Sequence, residues 1–476
     1  MNRSWLYALI LVSLVILPLS PAVSQRQITI DDIWTKGTFR TKGVPGFRFM
    51  NDGSHYTTLE NNYILKYDLT TGNLTDTLLD VNLLNLPGED KQIEDYTFSD
   101  DEAQLLLTAG SEAIYRHSTK EWTYVYDNTT RKVAGLNEKG KQMHATFSPD
   151  GKKVGFVMDN NMYYKDLASG KITQVTTDGK WNHIINGSCD WVYEEEFSFT
   201  KAFAWSPDNR YIAYYRFDES AVKEFTMTNY TGELYPENVT FKYPKVGMEN
   251  SKVSIHIFDT KTKKKVDVDR TSDPDGYIPR IKWTNDPSKL CVFWMNRHQN
   301  HLELLIANSV SGKTTKLLQE ENKYYIDIHD NLTFLQDGQG FIWTSEQDGF
   351  NHIYLYDMSG SLKKQITTGN WEVTSFYGVD EKNKAIYYQS ASASPMEREI
   401  FSVGLDGVTK KQLHVDKGMN TAQFSTTFDL FVLNHSTINS APTYTVYDRK
   451  GKVVRVLENN EGVKKQQEEA GAQPVE

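Results

Sequence analysis

Three consecutive carboxylates, Glu194-Glu195-Glu196, stand between Tyr193 and Phe197 in the segment Asp190–Phe197 (DWVYEEEF). A solvated acidic run normally lacks large apolar neighbours on both sides. Adjacent side chains in a strand point to opposite faces, so neighbouring glutamates converge on one ligand only from a short helical turn or an irregular segment. Carboxylates brought together raise one another's cost of ionisation, and a cation relieves it. An ammonium about 4 Å from each would gain on the order of 4 kcal/mol per contact at an effective dielectric of 20, before desolvation. An exposed acidic turn or a general acid/base pair fits the same pattern. Metal binding is a third reading, with only His183 close by in sequence. The second segment is Tyr115-Arg116-His117-Ser118. An arginine beside an aromatic at a strand end can hydrogen-bond a carbonyl or carboxylate with its fork of donors, although most such arginines are structural ion-pair partners.

The sequence holds no Gly-x-Ser-x-Gly elbow, HExxH, P-loop or GxGxxG, and its eleven histidines are scattered. No activated nucleophile is visible. The expectation is therefore no hydrolytic chemistry of the chain's own, no cofactor and no metal.

Positioning these segments falls to a repeat. An aromatic residue followed by a polar, Asp-containing turn recurs at Phe49–Gly53, Phe98–Asp101, Phe147–Gly151, Trp205–Asn209, Trp283–Asp286, Phe334–Gly338 and, weakly, Tyr377–Asp380. Interleaved with it, a strand-like stretch ends in an acidic or amide residue at Asp68, Asp127, Asp166, Asp259, Asn308, Asp357, Asp406 and Asp448. Asp caps its own backbone two residues on, and Gly supplies positive φ. Short strands at a period of about 40–50 residues are the signature of propeller blades, which stack around an axis because none can bury both faces alone. The second motif counts eight. The expectation is an all-β chain, an eight-bladed β-propeller of four-stranded antiparallel blades over residues 25–457.

Composition agrees. The 476 residues include 27 tyrosines and 10 tryptophans, which favour strands. A net charge of −10 without basic blocks argues against nucleic acid. Cys189 and Cys291 are too few for a disulfide scaffold, and two buried free thiols in strand-like stretches of different repeats are expected. Residues 1–24, with Arg3, an apolar run Trp5–Leu17 and small residues at Ala22 and Ser24, read as a signal peptide rather than a membrane anchor. Export to periplasm, cell surface or medium follows. An arm is expected at about 227–250, where one repeat is long and a plain surface loop fits equally well, and a disordered polar tail at 458–476.

The segment DWVYEEE, followed by the turn Trp205–Asp208, resembles the dipeptidyl peptidase IV family of serine exopeptidases, bacterial branch. Tyr115–Ser118 (YRHS), Asp218–Val222 (DESAV), Tyr243–Lys245 (YPK), Asp275–Arg280 (DGYIPR), Asp348–Tyr356 (DGFNHIYLY) and Gly369–Val373 (GNWEV) extend the likeness from about Ile28 to Leu457. The resemblance implies an eight-bladed propeller followed by an α/β-hydrolase domain, and release of N-terminal Xaa-Pro or Xaa-Ala dipeptides. It implies that Glu195 and Glu196 hold the peptide's N-terminal ammonium, that Arg116 binds the first carbonyl, and that the Met227–Asn250 arm serves homodimerisation. No counterpart of the hydrolase domain or its triad is found in these 476 residues. The expectation is thus a substrate-recognition and gating propeller, inactive alone; the alternative is a free-standing exported peptide- or protein-binding propeller.

Overall fold

The Asp-containing turns close into the same structure again and again. Ser99, Ser148 and Ser206 each donate from Oγ to the aspartate two residues on, at 2.6, 2.7 and 2.6 Å. Each hydroxyl in turn accepts the N–H five residues on, at 3.0, 3.0 and 2.8 Å. That reciprocal pair turns the first strand of a blade into the second. The other motif turns the third strand into the fourth: Asp68 accepts the N–H groups of Thr70 and Thr71, Asp127 those of Thr129 and Thr130, and Asp448 those of Lys450 and Lys452.

The computed structural model describes residues 27–471 apart from 45, 85, 87–91, 233 and 270–274. The expected signal peptide lies outside the described residues. Eight antiparallel sheets follow one another along the chain, at 48–80, 95–135, 143–174, 184–267, 277–321, 333–365, 373–412 and 419–458. We call them blades 1 to 8. Seven have four strands in sequence order, and blade 4 has an additional piece. Fourth strands such as Leu362–Gln365 and Lys410–Gln412 are almost wholly exposed, whereas first strands such as Met143–Phe147 and Phe203–Trp205 have no exposed residue. The first strands therefore line the inside of the ring.

Eight apolar clusters bridge consecutive blades, the last joining Val432 and Val446 of blade 8 to Tyr56 and Leu69 of blade 1. No sheet among the described residues mixes strands from the two ends of the chain. Side chains close the ring instead. Asn460, in the left-handed region at φ 51, donates to the carbonyls of Lys42 and Pro442 at 2.9 and 2.7 Å and accepts the Lys42 N–H at 2.7 Å.

Two expectations are revised here. The tail expected to be disordered contains a helix, Glu461–Glu469, anchored by Asn460 and by buried Val463 and Ala470. Two apolar contacts at such spacing leave no visible period in a polar sequence. Cys291 lies in a strand, but Cys189 lies in an irregular segment, its thiol 3.0 Å from the Phe199 carbonyl; both are free and buried.

The turn aspartates tie stability to pH. Hydroxyls of Thr70 and Thr71 with the Thr71 N–H hold Asp68 down to about 2, and the Ser359 hydroxyl with Lys363 depresses Asp357 further. Asp127 and Asp166 are lowered by bonds from Thr130 and Ser169. A depressed folded-state value means stability that is complete above the unfolded value of 3.8 and lost as pH falls through that window toward 2. We expect the thermal midpoint to drop steeply between pH 4 and about 2, and to drop less in an Asp68→Asn/Asp357→Asn variant, which keeps an acceptor but cannot titrate.

Candidate functional site

Blade 4 departs from the pattern where the acidic motif sits. Its first strand is broken in two: Ile184–Asn186 and Phe203–Trp205 both pair with the second strand, Tyr211–Asp218, on the same edge. Residues 187–202 are thus an insertion into the inner wall of the ring. It carries a six-residue helix, Trp191–Glu196. The helix forms because Asp190 caps it, accepting the Tyr193 N–H at 3.0 Å, with its second oxygen held by the Ser251 hydroxyl at 2.5 Å. Burial raises the Asp190 carboxyl above its ordinary value despite these bonds.

Four elements grip this one helix. Tyr193 is buried, with ring centroids 4.9 Å from both Phe197 and Phe217, and its hydroxyl accepts the Ile278 N–H of blade 5 at 3.0 Å. Trp191 packs 4.4 Å from Tyr243 at the base of the arm. The arm itself is a two-stranded hairpin, Glu224–Asn229 with Glu237–Lys242, outside the blade sheets. Glu194, buried at 1% exposure, accepts the N–H groups of His117 and Ser118 of blade 2 at 2.6 and 3.1 Å. Its Oε2 is buried with no hydrogen-bond partner among the described residues.

Blade 2 reaches the helix because its middle hairpin, Gln104–Ala113 with Thr119–Asp127, is long and bends at a register shift between Ala109 and Glu112, where Gly110 has φ 61. Blade 3 lies between, and its corresponding turn is only Asp159-Asn160, at φ 49 and 59, so it leaves the path open. Arg116 rides at the hairpin tip. Its Nε is 3.3 Å from Glu195 Oε1, with the arginine side chain 72% exposed and that of Glu195 16% exposed. Glu196 is exposed, and its charge helps raise Tyr325, in the connection from blade 5 to blade 6, whose shift is led by burial.

The two sequence segments are therefore brought together. Arg116 and Glu195 touch, and Glu196 follows on the next helical position. Sequence reasoning missed the different part played by Glu194, which points away from its neighbours to hold the Arg116 hairpin; only its large apolar neighbours hinted at a buried carboxylate. It also missed Glu219, buried with no ion-pair partner among the described residues, which burial and the nearby Asp190 push up to about 7. Among the described residues, no group of three or more His, Cys, Asp or Glu side chains is arranged to hold a metal ion.

An eight-bladed propeller with a capped acidic helix set into its inner wall, faced by an arginine hairpin, is the class of domain that these features define. The chain belongs to the dipeptidyl peptidase IV family: residues 99–442 match the family described as "Dipeptidyl peptidase IV (DPP IV) N-terminal region". It is similar to a probable dipeptidyl-aminopeptidase B of Phaeosphaeria nodorum, 29% identical over 408 residues, covering 77% of this chain and 44% of the relative. It is similar also to the inactive dipeptidyl peptidase 10 of Rattus norvegicus, 26% identical over 407 residues, covering 82% of this chain and 50% of the relative. The crystal structure of Porphyromonas gingivalis dipeptidyl peptidase 4 superposes with a TM-score of 0.88 at 39% identity, covering 93% of this chain and 63% of that one. The chain spans about half the length of the curated relatives it matches.

If Glu194 is the tether, Glu194→Ala unties the hairpin and leaves two N–H groups unpaired, at a cost of about 1–3 kcal/mol. Amide exchange should accelerate at His117 and Ser118 while blade 8 keeps its protection. Unchanged exchange at those two amides would remove the tether from the account.

Proposed function

We propose that this chain is the substrate-recognition and gating part of a dipeptidyl peptidase that removes N-terminal Xaa-Pro or Xaa-Ala dipeptides. The observation that carries the reading is the convergence of Glu195, Glu196 and Arg116 from two distant blades. An N-terminal ammonium has three donors and no acceptor, and two carboxylates on one helical turn match it. Arg116 then takes the first carbonyl of the peptide. The Arg116–Glu195 contact of the free protein is no obstacle, since the 72%-exposed arginine side chain can turn to solvent when the ammonium replaces it at Glu195. Tethering the charged end fixes how far along the peptide the cut falls, because positioning sets which bond meets the nucleophile.

The nucleophile, in this reading, belongs to an α/β-hydrolase domain beyond these 476 residues. A recognition surface without it does not cleave amides. The arm serves contact between two copies, a reading supported by its exposed Tyr230, Leu234 and Tyr235 at 80, 88 and 82%. The segment 1–24 directs the chain to export. A free-standing peptide-binding propeller would use the same site and differ only in having no enzyme beside it.

Calorimetric titration with a short Xaa-Pro peptide tests the site. Losing a hydrogen bond to a charged group costs about 1.5–3 kcal/mol, so Glu195→Gln and Glu196→Gln should each weaken binding roughly 10- to 100-fold. Acetylating the peptide's N-terminus should do the same to the unaltered protein. Equal affinity for free and acetylated peptides would sink the ammonium assignment. The chain alone should release no chromogen from Xaa-Pro substrates, and release that a Glu195→Ala/Glu196→Ala variant lacks would overturn the catalytic part.

A further inference from the structure

The outer half of blade 4 holds an arrangement that the recognition site does not use. Ser254 and His256 are two residues apart on the third strand, Lys252–Asp259, and so share one face. Asp267 of the fourth strand stands opposite His256 in the ladder. Ser254 Oγ lies 3.0 Å from His256 Nε2, and His256 Nδ1 lies 2.6 Å from Asp267 Oδ1. With Nδ1–H donated to the carboxylate, Nε2 is left as an acceptor facing the hydroxyl. The hydroxyl's alternative partner, the Arg216 carbonyl, is farther away at 3.5 Å.

We propose that Ser254 is an activated nucleophile that small activated esters acylate, with His256 as its base and Asp267 as the residue that orients the imidazole. Nucleophile, base and orienting carboxylate within hydrogen-bond reach is the arrangement that serine acylation requires on any fold. Ser254 Oγ forms the bond to the acyl carbon as its proton passes to Nε2. The departing alcohol or phenol then takes that proton, leaving an acyl-serine and a neutral imidazole. Asp267 stays ionised throughout.

The surroundings suit a small reagent. His256 is 6% exposed beneath the Tyr214 ring, whose centroid is 5.4 Å away, while Ser254 is half-buried. Arg216 stands across the ladder from Ser254, with its Nε donating to Asp178 at 2.8 Å. Burial lowers His256 below its ordinary value; Asp267 opposes that shift, and Lys265 and Arg216 add to it. The imidazole is accordingly neutral, and able to accept a proton, at pH 7. Among the described residues no backbone N–H donates to the hydroxyl, and the proposal is accordingly confined to esters with good leaving groups and excludes unactivated amides.

The test treats the full chain with p-nitrophenyl acetate and maps acetylation by peptide mass spectrometry. We expect acetyl on Ser254 ahead of every other serine, and none at that position in Ser254→Ala. Asp267 is 72% exposed, so Asp267→Asn should keep the unfolding midpoint while slowing Ser254 acetylation at least about tenfold. The acetylation rate should fall as pH drops through the His256 titration. Acetyl distributed over serines and lysines without preference for Ser254, or an Asp267→Asn rate equal to that of the unaltered protein, would overturn the proposal. Either result leaves the peptide-binding reading untouched, since none of these residues touches Glu195, Glu196 or Arg116.

Discussion

A four-stranded blade has two apolar faces and no partner of its own. Blade 4 illustrates the constraint: Tyr215, Phe217, Ile255 and Ile257 face blade 5, while Ile212, Tyr214 and Phe258 face blade 3. Burying a side chain of this size is worth roughly 1.5–3 kcal/mol. A blade standing alone would leave one such face in water, and a row of blades would leave two end faces. Only a closed ring leaves none. The cluster of Tyr56, Leu69, Val432 and Val446 is therefore the joint on which the other seven depend, with Asn460 clasping Lys42 and Pro442 beside it.

Once the ring is closed, its inner edge becomes a place where irregular chain can be held rigidly. The break in the first strand of blade 4 costs some ladder hydrogen bonds, yet the 187–202 insertion is not loose. Asp190 caps its helix, Tyr193 locks it to blades 4 and 5, Trp191 leans on the arm, and Glu194 joins it to blade 2. Of the three consecutive glutamates, one thus serves structure, so that Glu195 meets Arg116 at a defined position with Glu196 next to it on the helix. A six-residue helix could not keep that geometry by its own propensity, since isolated helices of such length are unstable in water.

Polar groups on the same blade show how far ladder register can create chemistry. Ser254 and His256 are ordinary strand residues, and Asp267 lies eleven positions from His256. The fourth strand is only Lys265–Asp267, and a one-residue slip would turn Asp267 to the other face.

Much of this was readable from the sequence. The turn aspartates are local devices, each bonding N–H groups two or three residues on, so the sequence by itself determined eight repeats, their strand order and the propeller. The helical turn at Trp191–Glu196 starts from a local device, the Asp190 cap, but the sequence left it open against an irregular segment. What a linear string could not contain were relations across blades. The hold of Glu194 on the His117 and Ser118 amides spans more than seventy residues. The partition of the glutamates into one tether, one mostly covered carboxylate against Arg116 and one exposed carboxylate depends on where blade 2's hairpin arrives. The ordered helix after Asn460 depends on Lys42, at the other end of the chain. Short-range hydrogen bonding is written in neighbouring residue types, whereas burial and long-range pairing exist only after the ring has closed, and those decided which of the legible residues come together at the candidate site.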